Sequence, residues 1–359
     1  MASAARRNIQ MKNALFRAAG HVSGSVWNWL SDNACLLPYY HMVSDEPVPH
    51  VSPLYPFRSV AEFRSDLDCL LRGRRALSLG QFLSAVCVDG SPPRRSFLLT
   101  FDDGFREMHD IVTPILREKG VPAVFFIPTS TLDNADLCHH QKIALLLQKM
   151  DTMGARFPDG EVRRLLGTAA IPFPSTRAAL SAVPWRSRSV LDGAAAACGV
   201  DFSAYLQCVQ PHLTSDQIRA MLAQGMDIGA HSVDHPLYAN IPLASQLQQT
   251  RASINLLAER FGLKHRAFAF PHGDWAVSRE FFDTLFQEKT LDVSFGTSGP
   301  QRDSVALNFQ RFSMEKLGLP AHAVLARHSI RGLKLRCLCQ TQIHRAKSAA
   351  SVRLEHLPA

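Results

Sequence analysis

The fold class of this chain is decided by the stretch Ser96-Phe97-Leu98-Leu99-Thr100-Phe101-Asp102-Asp103-Gly104. Its apolar first half has the length of a buried strand, and the residues from Phe105 to Lys119 have the pattern of a helix that Gly120 ends. A second apolar run, Val121 to Ile127, follows directly, so the segment predicts a βαβ unit. Two adjacent carboxylates therefore stand at the carboxyl end of a strand, where α/β folds place their chemistry.

The alternation of strands and helices is interrupted once and then resumes. Residues 131–213 contain helical patches mixed with Pro and Gly but no clear strand, which predicts a mostly helical insertion able to wall or cover a site. A short strand-like run at 226–231 comes next, and helix–strand alternation continues to residue 296. Repeated βα units favour a parallel sheet, either open or closed.

Two histidines four residues apart, His231 and His235, follow that strand in the string His-Ser-Val-Asp-His-Pro. A helical turn or a tight loop brings residues at this spacing onto one side, where both imidazoles can reach one cation. Asp-Asp-Gly by itself is also ordinary turn chemistry. However, two histidines and one carboxylate form a standard catalytic metal set with a position open for water. Because consecutive side chains of a strand point opposite ways, one of Asp102 and Asp103 can hold the metal while the other faces that water.

These motifs resemble those of the polysaccharide deacetylase family of metal-dependent carbohydrate esterases. That family carries Thr-Phe-Asp-Asp-Gly, then His-Ser/Thr-x-x-His-Pro, then a Pro-aromatic-Gly turn after a further strand. The first two motifs are intact here, and Pro271-His272-Gly273 stands at the third. The resemblance covers roughly residues 35–330. It implies an α/β fold, a distorted (β/α) barrel of about seven parallel strands, which the pattern alone does not show.

The resemblance also implies the roles of the site residues. It makes Asp103, His231 and His235 the metal ligands and Asp102 the general base, and it suggests the backbone N–H of His272 as a donor to the oxyanion. Zinc suits these ligands, but Co²⁺, Ni²⁺ or Mn²⁺ are compatible with them, because affinity order and availability decide which divalent metal occupies such a set.

Two departures from the family pattern concern the groups around the base and the general acid. Many members have an Arg, which orients the catalytic Asp, where this chain has Ala269. Arg311 could replace it, but a surface arginine is the favoured interpretation. For the acid, His328 ends the usual Leu-x-x-His string but opens an Arg/Lys-rich stretch without a preceding strand. His41 ends the apolar run Leu36-Leu37-Pro38-Tyr39-Tyr40, similar to exopolysaccharide deacetylases whose acid motif lies on the N-terminal side, and is preferred.

Composition bounds the rest of the chain. With 359 residues, 46% hydrophobic and 19% charged, it is long enough for one large α/β domain with a substantial core. We predict a basic, weakly amphipathic segment at 1–33, a catalytic domain at 34–330 and a basic tail at 331–359. Basic ends are compatible with peripheral contact to an anionic membrane. No nucleic-acid motif appears, and eight scattered cysteines without a Cys-x-x-Cys pair suit reduced thiols in the cytoplasm.

The expected activity is metal-dependent hydrolysis of N-acetyl groups, with O-acetyl groups as the second choice, on a polysaccharide, an oligosaccharide or a lipid-linked glycan precursor, as in exopolysaccharide biosynthesis. The partner is then an acetylated carbohydrate. Two alternatives stay open: hydrolysis of a small non-peptide amide on the same scaffold, and a non-catalytic protein of glycan assembly. The missing Arg at position 269 supports the non-catalytic protein. However, a protein that only binds glycan has no need of a general base such as Asp102 beside its metal ligands.

Overall fold

The computed structural model describes residues 35–167, 173–316 and 318–348. The segment predicted at 1–33 lies outside the described residues, as do the last residues of the predicted tail, from 349 onward. Within the described ranges, no helix is both long and apolar enough to cross a membrane.

Short strands make up the centre of the molecule. In chain order they are β1 (Cys35–Leu36), β2 (Pro38–Tyr40), β3 (Arg75–Ala76), β4 (Ser96–Phe97), β5 (Leu99–Phe101), β6 (Ala123–Ile127), β7 (Asp227–Ala230), β8 (Ala267–Ala269), β9 (Val293–Gly296), β10 (Arg302–Asp303), β11 (Asn308–Gln310), β12 (Phe312–Ser313) and β13 (Gln342–Ile343). Eight of them form one sheet in the order β11-β9-β8-β7-β6-β5-β2-β12. All neighbours in this sheet run parallel, as the repeated βα units predict.

The two edges of this sheet are joined by a single residue, Arg311. Its backbone N–H donates to the Gly296 carbonyl of β9 at 3.0 Å, while the next N–H, of Phe312, donates to the Leu37 carbonyl beside β2 at 3.1 Å. One continuous segment thus pairs with both ends of the sheet and closes it. The predicted distorted (β/α) barrel is confirmed, with eight strands in place of about seven because the closing segment is divided at Arg311.

Aromatic side chains fill both faces of the barrel wall, since alternate residues of a strand point opposite ways. Phe125 stacks on Phe101 at 4.9 Å between ring centroids, on the face covered by helices. Its neighbour Phe126 packs on Phe295 at 5.5 Å, on the other face. Gly229 of the adjacent strand is needed there, because a Cβ would lie 2.5 Å from the Phe126 ring.

Helices surround the barrel and build the insertion. They are α1 (Val60–Leu71), α2 (Leu79–Asp89), α3 (Thr113–Glu118), α4 (His139–Met153), α5 (Asp159–Gly167), α6 (Thr176–Ser181), α7 (Val190–Cys198), α8 (Phe202–Val209), α9 (Ser215–Ala223), α10 (Leu243–Phe261), α11 (Arg279–Gln287) and α12 (Ala321–Cys337). The insertion predicted at about 131–213 comprises α4 to α8, and its apolar faces pack into a cluster of their own. It leaves the barrel directly after β6, so it begins at the carboxyl ends of the strands.

The predicted boundary at residue 330 falls inside α12, which continues to Cys337. Beyond this helix, β13 pairs in parallel with β10, and these two strands form a small sheet separate from the barrel. Arg345 then forms ion pairs with two buried carboxylates, Asp274 and Asp303. Residues of the expected tail are therefore packed against the loop that follows the third motif.

Candidate metal centre

Asp102 and Asp103 stand where β5 ends, as the sequence predicts. The backbone N–H of Asp102 still donates to the Tyr40 carbonyl of β2 at 2.9 Å. Asp103 has a φ of 73° and Gly104 a φ of 63°, so the chain turns sharply at this point. Because of the turn the two carboxylates diverge, and both residues are buried, with 3% exposure each.

Three of the predicted site residues form a compact donor group. The ligand atoms of Asp103, His231 and His235 all lie within 4.8 Å of one another. The Asp103 Oδ1 atom is 3.6 Å from His231 Nε2 and 3.1 Å from His235 Nε2. His231 Nδ1 lies 2.8 Å from the Ala269 carbonyl, to which it donates, and this leaves the Nε2 lone pair free to face Asp103.

This donor group fits a divalent cation. Asp103 Oδ1 is buried without a hydrogen-bond partner among the described residues, whereas its Oδ2 accepts from the Tyr55 hydroxyl at 3.3 Å. A buried carboxylate oxygen that faces two imidazole nitrogens is the arrangement that a cation would satisfy. Burial lowers the pKa of His231 to about 4, and the pKa of Asp103 is held well below its ordinary value because His235 outweighs the opposing effect of burial. Both groups are thus in their ligand forms at neutral pH.

Asp102 is held by Arg311. Nη1 and Nη2 of this arginine donate to Oδ1 and Oδ2 of Asp102 at 2.7 and 2.8 Å, and Nη1 also donates to the Thr100 hydroxyl at 3.0 Å. Burial raises the pKa of Asp102, but the Arg311 charge prevails and lowers it, which keeps the carboxylate ionised. The interpretation of Arg311 as a surface residue is wrong: its exposure is 0%. It makes the contact with Asp102 that the family resemblance assigns to an arginine at the position of Ala269.

His41 follows β2 and pairs with Glu315, a residue that no sequence motif marks. The His41 Nδ1 atom lies 2.6 Å from Glu315 Oε2, and the backbone N–H groups of His41 and Met42 donate to Oε1 at 2.8 and 2.9 Å. Burial lowers the pKa of His41, but Glu315 and the two neighbouring aspartates outweigh it and raise the pKa to about 9. The imidazole is therefore protonated at neutral pH.

The alternative acid, His328, lies in α12. Its ring packs on Phe312 with a centroid distance of 4.0 Å, and burial lowers its pKa to about 4. Among the described contacts of His328, none involves Asp102 or Asp103. These surroundings are those of a neutral packing residue, so the geometry favours His41.

Two further imidazoles stand beside the donor group. The His272 ring lies 4.7 Å from the His235 ring, edge to face. The His140 ring, from the start of α4, lies 4.6 Å from His235. No motif in the insertion marks His140, and only the fold brings it here.

Comparison with known proteins identifies the family. The model of the polysaccharide deacetylase family matches residues 89–172 and 173–281, which together make up more than half of the chain. The chain belongs to the polysaccharide deacetylase family. The predicted class, a hydrolase of this family, is therefore confirmed. Curated proteins gave no significant sequence match.

Solved structures share the fold at low sequence identity. The Streptococcus pyogenes deacetylase PplD in complex with acetate has 14% identity and a TM-score of 0.51, with 81% of this chain and 97% of that chain covered. IcaB from Ammonifex degensii has 18% identity and a TM-score of 0.51, with 82% and 97% covered. BC0361, a polysaccharide deacetylase from Bacillus cereus, has 13% identity and a TM-score of 0.50, with 82% and 68% covered.

Proposed function

We propose that this chain is a metal-dependent hydrolase that removes N-acetyl groups, and O-acetyl groups as a second choice, from a polysaccharide, an oligosaccharide or a lipid-linked glycan precursor. The observation that carries the proposal is the arrangement around Asp103. The Asp102–Arg311 pair and the His41–Glu315 pair both lie beside the compact donor group. Membership of the family supports a deacetylation, as does the acetate bound to PplD, a deacetylase of similar fold.

Asp103, His231 and His235 would hold the divalent ion, with zinc as first choice and Co²⁺, Ni²⁺ or Mn²⁺ as alternatives. When bound, such an ion lowers the pKa of a water molecule and polarises the acetyl carbonyl. The three side chains leave room for water and substrate because they supply only three of the usual four or more donors.

Asp102 accepts the proton of the attacking water in this proposal. Its two oxygens are fixed by the guanidinium of Arg311, so the carboxylate keeps one orientation and uses a remaining lone pair for the proton. Arg311 is itself surrounded by the Tyr39 and Phe126 rings, at 4.9 and 5.3 Å from their centroids. Asp102 is thus oriented by Arg311, whose own conformation is restricted by the packing around it.

His41 gives its proton to the leaving nitrogen. An amine is a poor leaving group as an anion, so the nitrogen must be protonated as it departs. The His41 imidazole, which Glu315 keeps protonated at neutral pH, can supply that proton. The backbone N–H of His272, at the turn after β8, is the proposed donor to the oxyanion of the tetrahedral intermediate.

The decisive experiment compares substrates on one metal-loaded preparation. We expect release of acetate from N-acetylated chito-oligosaccharides with a higher kcat/KM than from small linear or cyclic amides, with the Asp102→Asn protein as the blank. The opposite preference would favour the small-amide hydrolase. Metal at stoichiometric occupancy without hydrolysis of any of these substrates would favour a non-catalytic protein of glycan assembly.

The cellular location stays a prediction: cytoplasmic, with peripheral contact to anionic lipid through the basic ends of the chain. The segment at 1–33 lies outside the described structure, as does the end of the tail predicted at 331–359, whereas most basic residues of that tail lie in α12 and in the residues after it, up to 348. Sedimentation with phosphatidylserine vesicles would test the contact. Equal binding to neutral vesicles, or none to either, would contradict it.

A further inference from the structure

The insertion brings the side chain of His140 to the metal centre. His140 is the second residue of α4, and its ring lies 4.6 Å from the His235 ring and 6.2 Å from the His272 ring. The preceding residue has different surroundings, because His139 Nε2 lies 2.7 Å from the Val183 carbonyl within the insertion. His139 thus anchors α4 to another part of the insertion, while His140 faces the metal centre.

His140 lies beside the donor group and not within it. Among the described residues, the atoms that lie within 4.8 Å of one another come from Asp103, His231 and His235 alone. The contacts of His140 are instead made by the face and edge of its ring, against two other imidazoles. The His140 ring, packed in this way, bounds the metal centre on the side of the insertion.

His41 and His140 stand on different sides of Asp103. His41 follows β2, and its ring packs on Tyr55 with a centroid distance of 5.2 Å. His140 belongs to the residues that leave β6, and β5, which carries Asp103, lies between β2 and β6 in the sheet. The nitrogen and the acyl carbon chain of a planar amide leave the carbonyl carbon in different directions. A substrate whose amide nitrogen lies at His41 therefore directs its acyl chain away from His41, toward His140.

We propose that His140 closes the acyl pocket and limits the acyl group that this chain removes to acetyl. The proposal rests on the proposed function, because it takes His41 as the donor to the leaving nitrogen. An acetyl methyl group would end against the imidazole ring, and one more methylene would collide with it. A pocket of fixed size discriminates one methylene by about 10- to 200-fold.

The test measures kcat/KM on chito-oligosaccharides that carry either N-acetyl or N-propionyl groups. We expect the parent protein to prefer acetyl. His140→Ala and His140→Asn shorten the wall and should each raise the propionyl-to-acetyl ratio about 10-fold or more. His140→Phe refills the space with a ring and should keep the parental ratio, which separates a steric wall from a hydrogen-bonding group.

His139→Ala is the matched control, because it alters the adjacent histidine and the anchoring of the same helix while leaving the proposed wall in place. Its ratio should equal that of the parent, and an equal shift in this variant would overturn the proposal. Loss of metal from either shortened variant would overturn it as well, since His140 would then be a ligand. A uniform loss on both acyl groups would overturn it too and assign His140 to the sugar.

The parent protein also tests the proposal without any variant. Equal rates on N-acetyl and N-propionyl substrates would overturn the acyl wall while leaving the deacetylase function intact. Hydrolysis of neither substrate by metal-loaded parent protein would instead contradict the proposed function itself.

Discussion

The two sides of the site differ in how their charges are balanced. On the side of β2 and β12, each ionisable group has an opposite charge in contact: Asp102 has Arg311, and His41 has Glu315. On the side of β7 and the insertion, one carboxylate faces several imidazoles, and Asp103 Oδ1 is buried without a hydrogen bond among the described residues. The first side is electrostatically complete, whereas the second still needs a cation.

This difference separates two tasks. A paired group keeps a defined protonation state and orientation, which suits the transfer of a proton. A buried oxygen that faces imidazole nitrogens without a hydrogen bond costs free energy until a cation occupies the space between them, which suits the binding of a metal. Substitutions on the two sides should therefore fail in different ways: loss of metal on one side, and loss of rate with metal still bound on the other.

The largest effect is expected from the unpaired side. Asp103→Ala, His231→Ala and His235→Ala should each lose metal and activity together, because each removes one of only three protein ligands. Metal content after gel filtration, measured beside acetate release, checks this. A variant that keeps full occupancy and turnover would remove its residue from the ligand set.

The second prediction concerns the base on the paired side. Asp102→Asn should bind metal at the parental level yet hydrolyse its substrate at least ~10²-fold more slowly, the usual size of a lost general base. The amide still accepts a hydrogen bond from Arg311, so the fold around it should persist. Metal loss in this variant would show that the two aspartates have exchanged roles.

The third prediction separates the acid from the rest of the paired side. His41→Ala should slow cleavage of an acetamide by ~10²-fold or more, and that of an activated aryl ester far less, because the ester leaving group needs no proton. His328→Ala is the control and should leave both rates near those of the parent. Equal losses on both substrates would make His41 a structural residue, and a selective loss in His328→Ala would move the acid to α12.

The barrel wall could be predicted because its strands are local features. Apolar runs at 96–101, 121–127, 226–231, 267–270 and 291–296 contain β5, β6, β7, β8 and β9. Closure could not be predicted from the pattern, since it depends on the pairing of β11 with β9 and of β12 with β2. That pairing joins residues far apart in the chain, and only the family resemblance anticipated its result.

The same long-range pairing explains which site residues could not be predicted. Ser313 of β12 lies opposite Tyr39 of β2, and two residues further along each chain Glu315 meets His41. Arg311 enters the barrel only because the closing segment turns there. Asn308 and Gln310, which precede Arg311, do not indicate that this segment closes the barrel, because an exposed edge strand carries the same polar residue types. The histidine pair could be proposed as ligands because the spacing of His231 and His235 is local, whereas Asp103 was added to the set by the resemblance to the family.

The smallest effect is expected from Glu315→Gln, which weakens one pairing without removing a catalytic group. Glu315, with smaller contributions from Asp103 and Asp102, raises the pKa of His41 to about 9, so the parent should lose kcat/KM as the pH rises through that value and the acid deprotonates. In the variant the pKa of His41 falls, and the alkaline limb of the pH profile should move to lower pH with little change on the acid side.

The same change should appear in stability, because a raised folded-state pKa stabilises the protein below the ordinary value of 6.5 and loses that contribution as the pH approaches about 9. The melting temperature of Glu315→Gln should therefore lie below that of the parent at pH 6 and converge with it toward pH 9. The comparison is made at constant ionic strength and with the metal content checked. A pH profile that does not move would show that Glu315 does not set the pKa of the acid, and the paired side would then owe its chemistry to Asp102 and Arg311 alone.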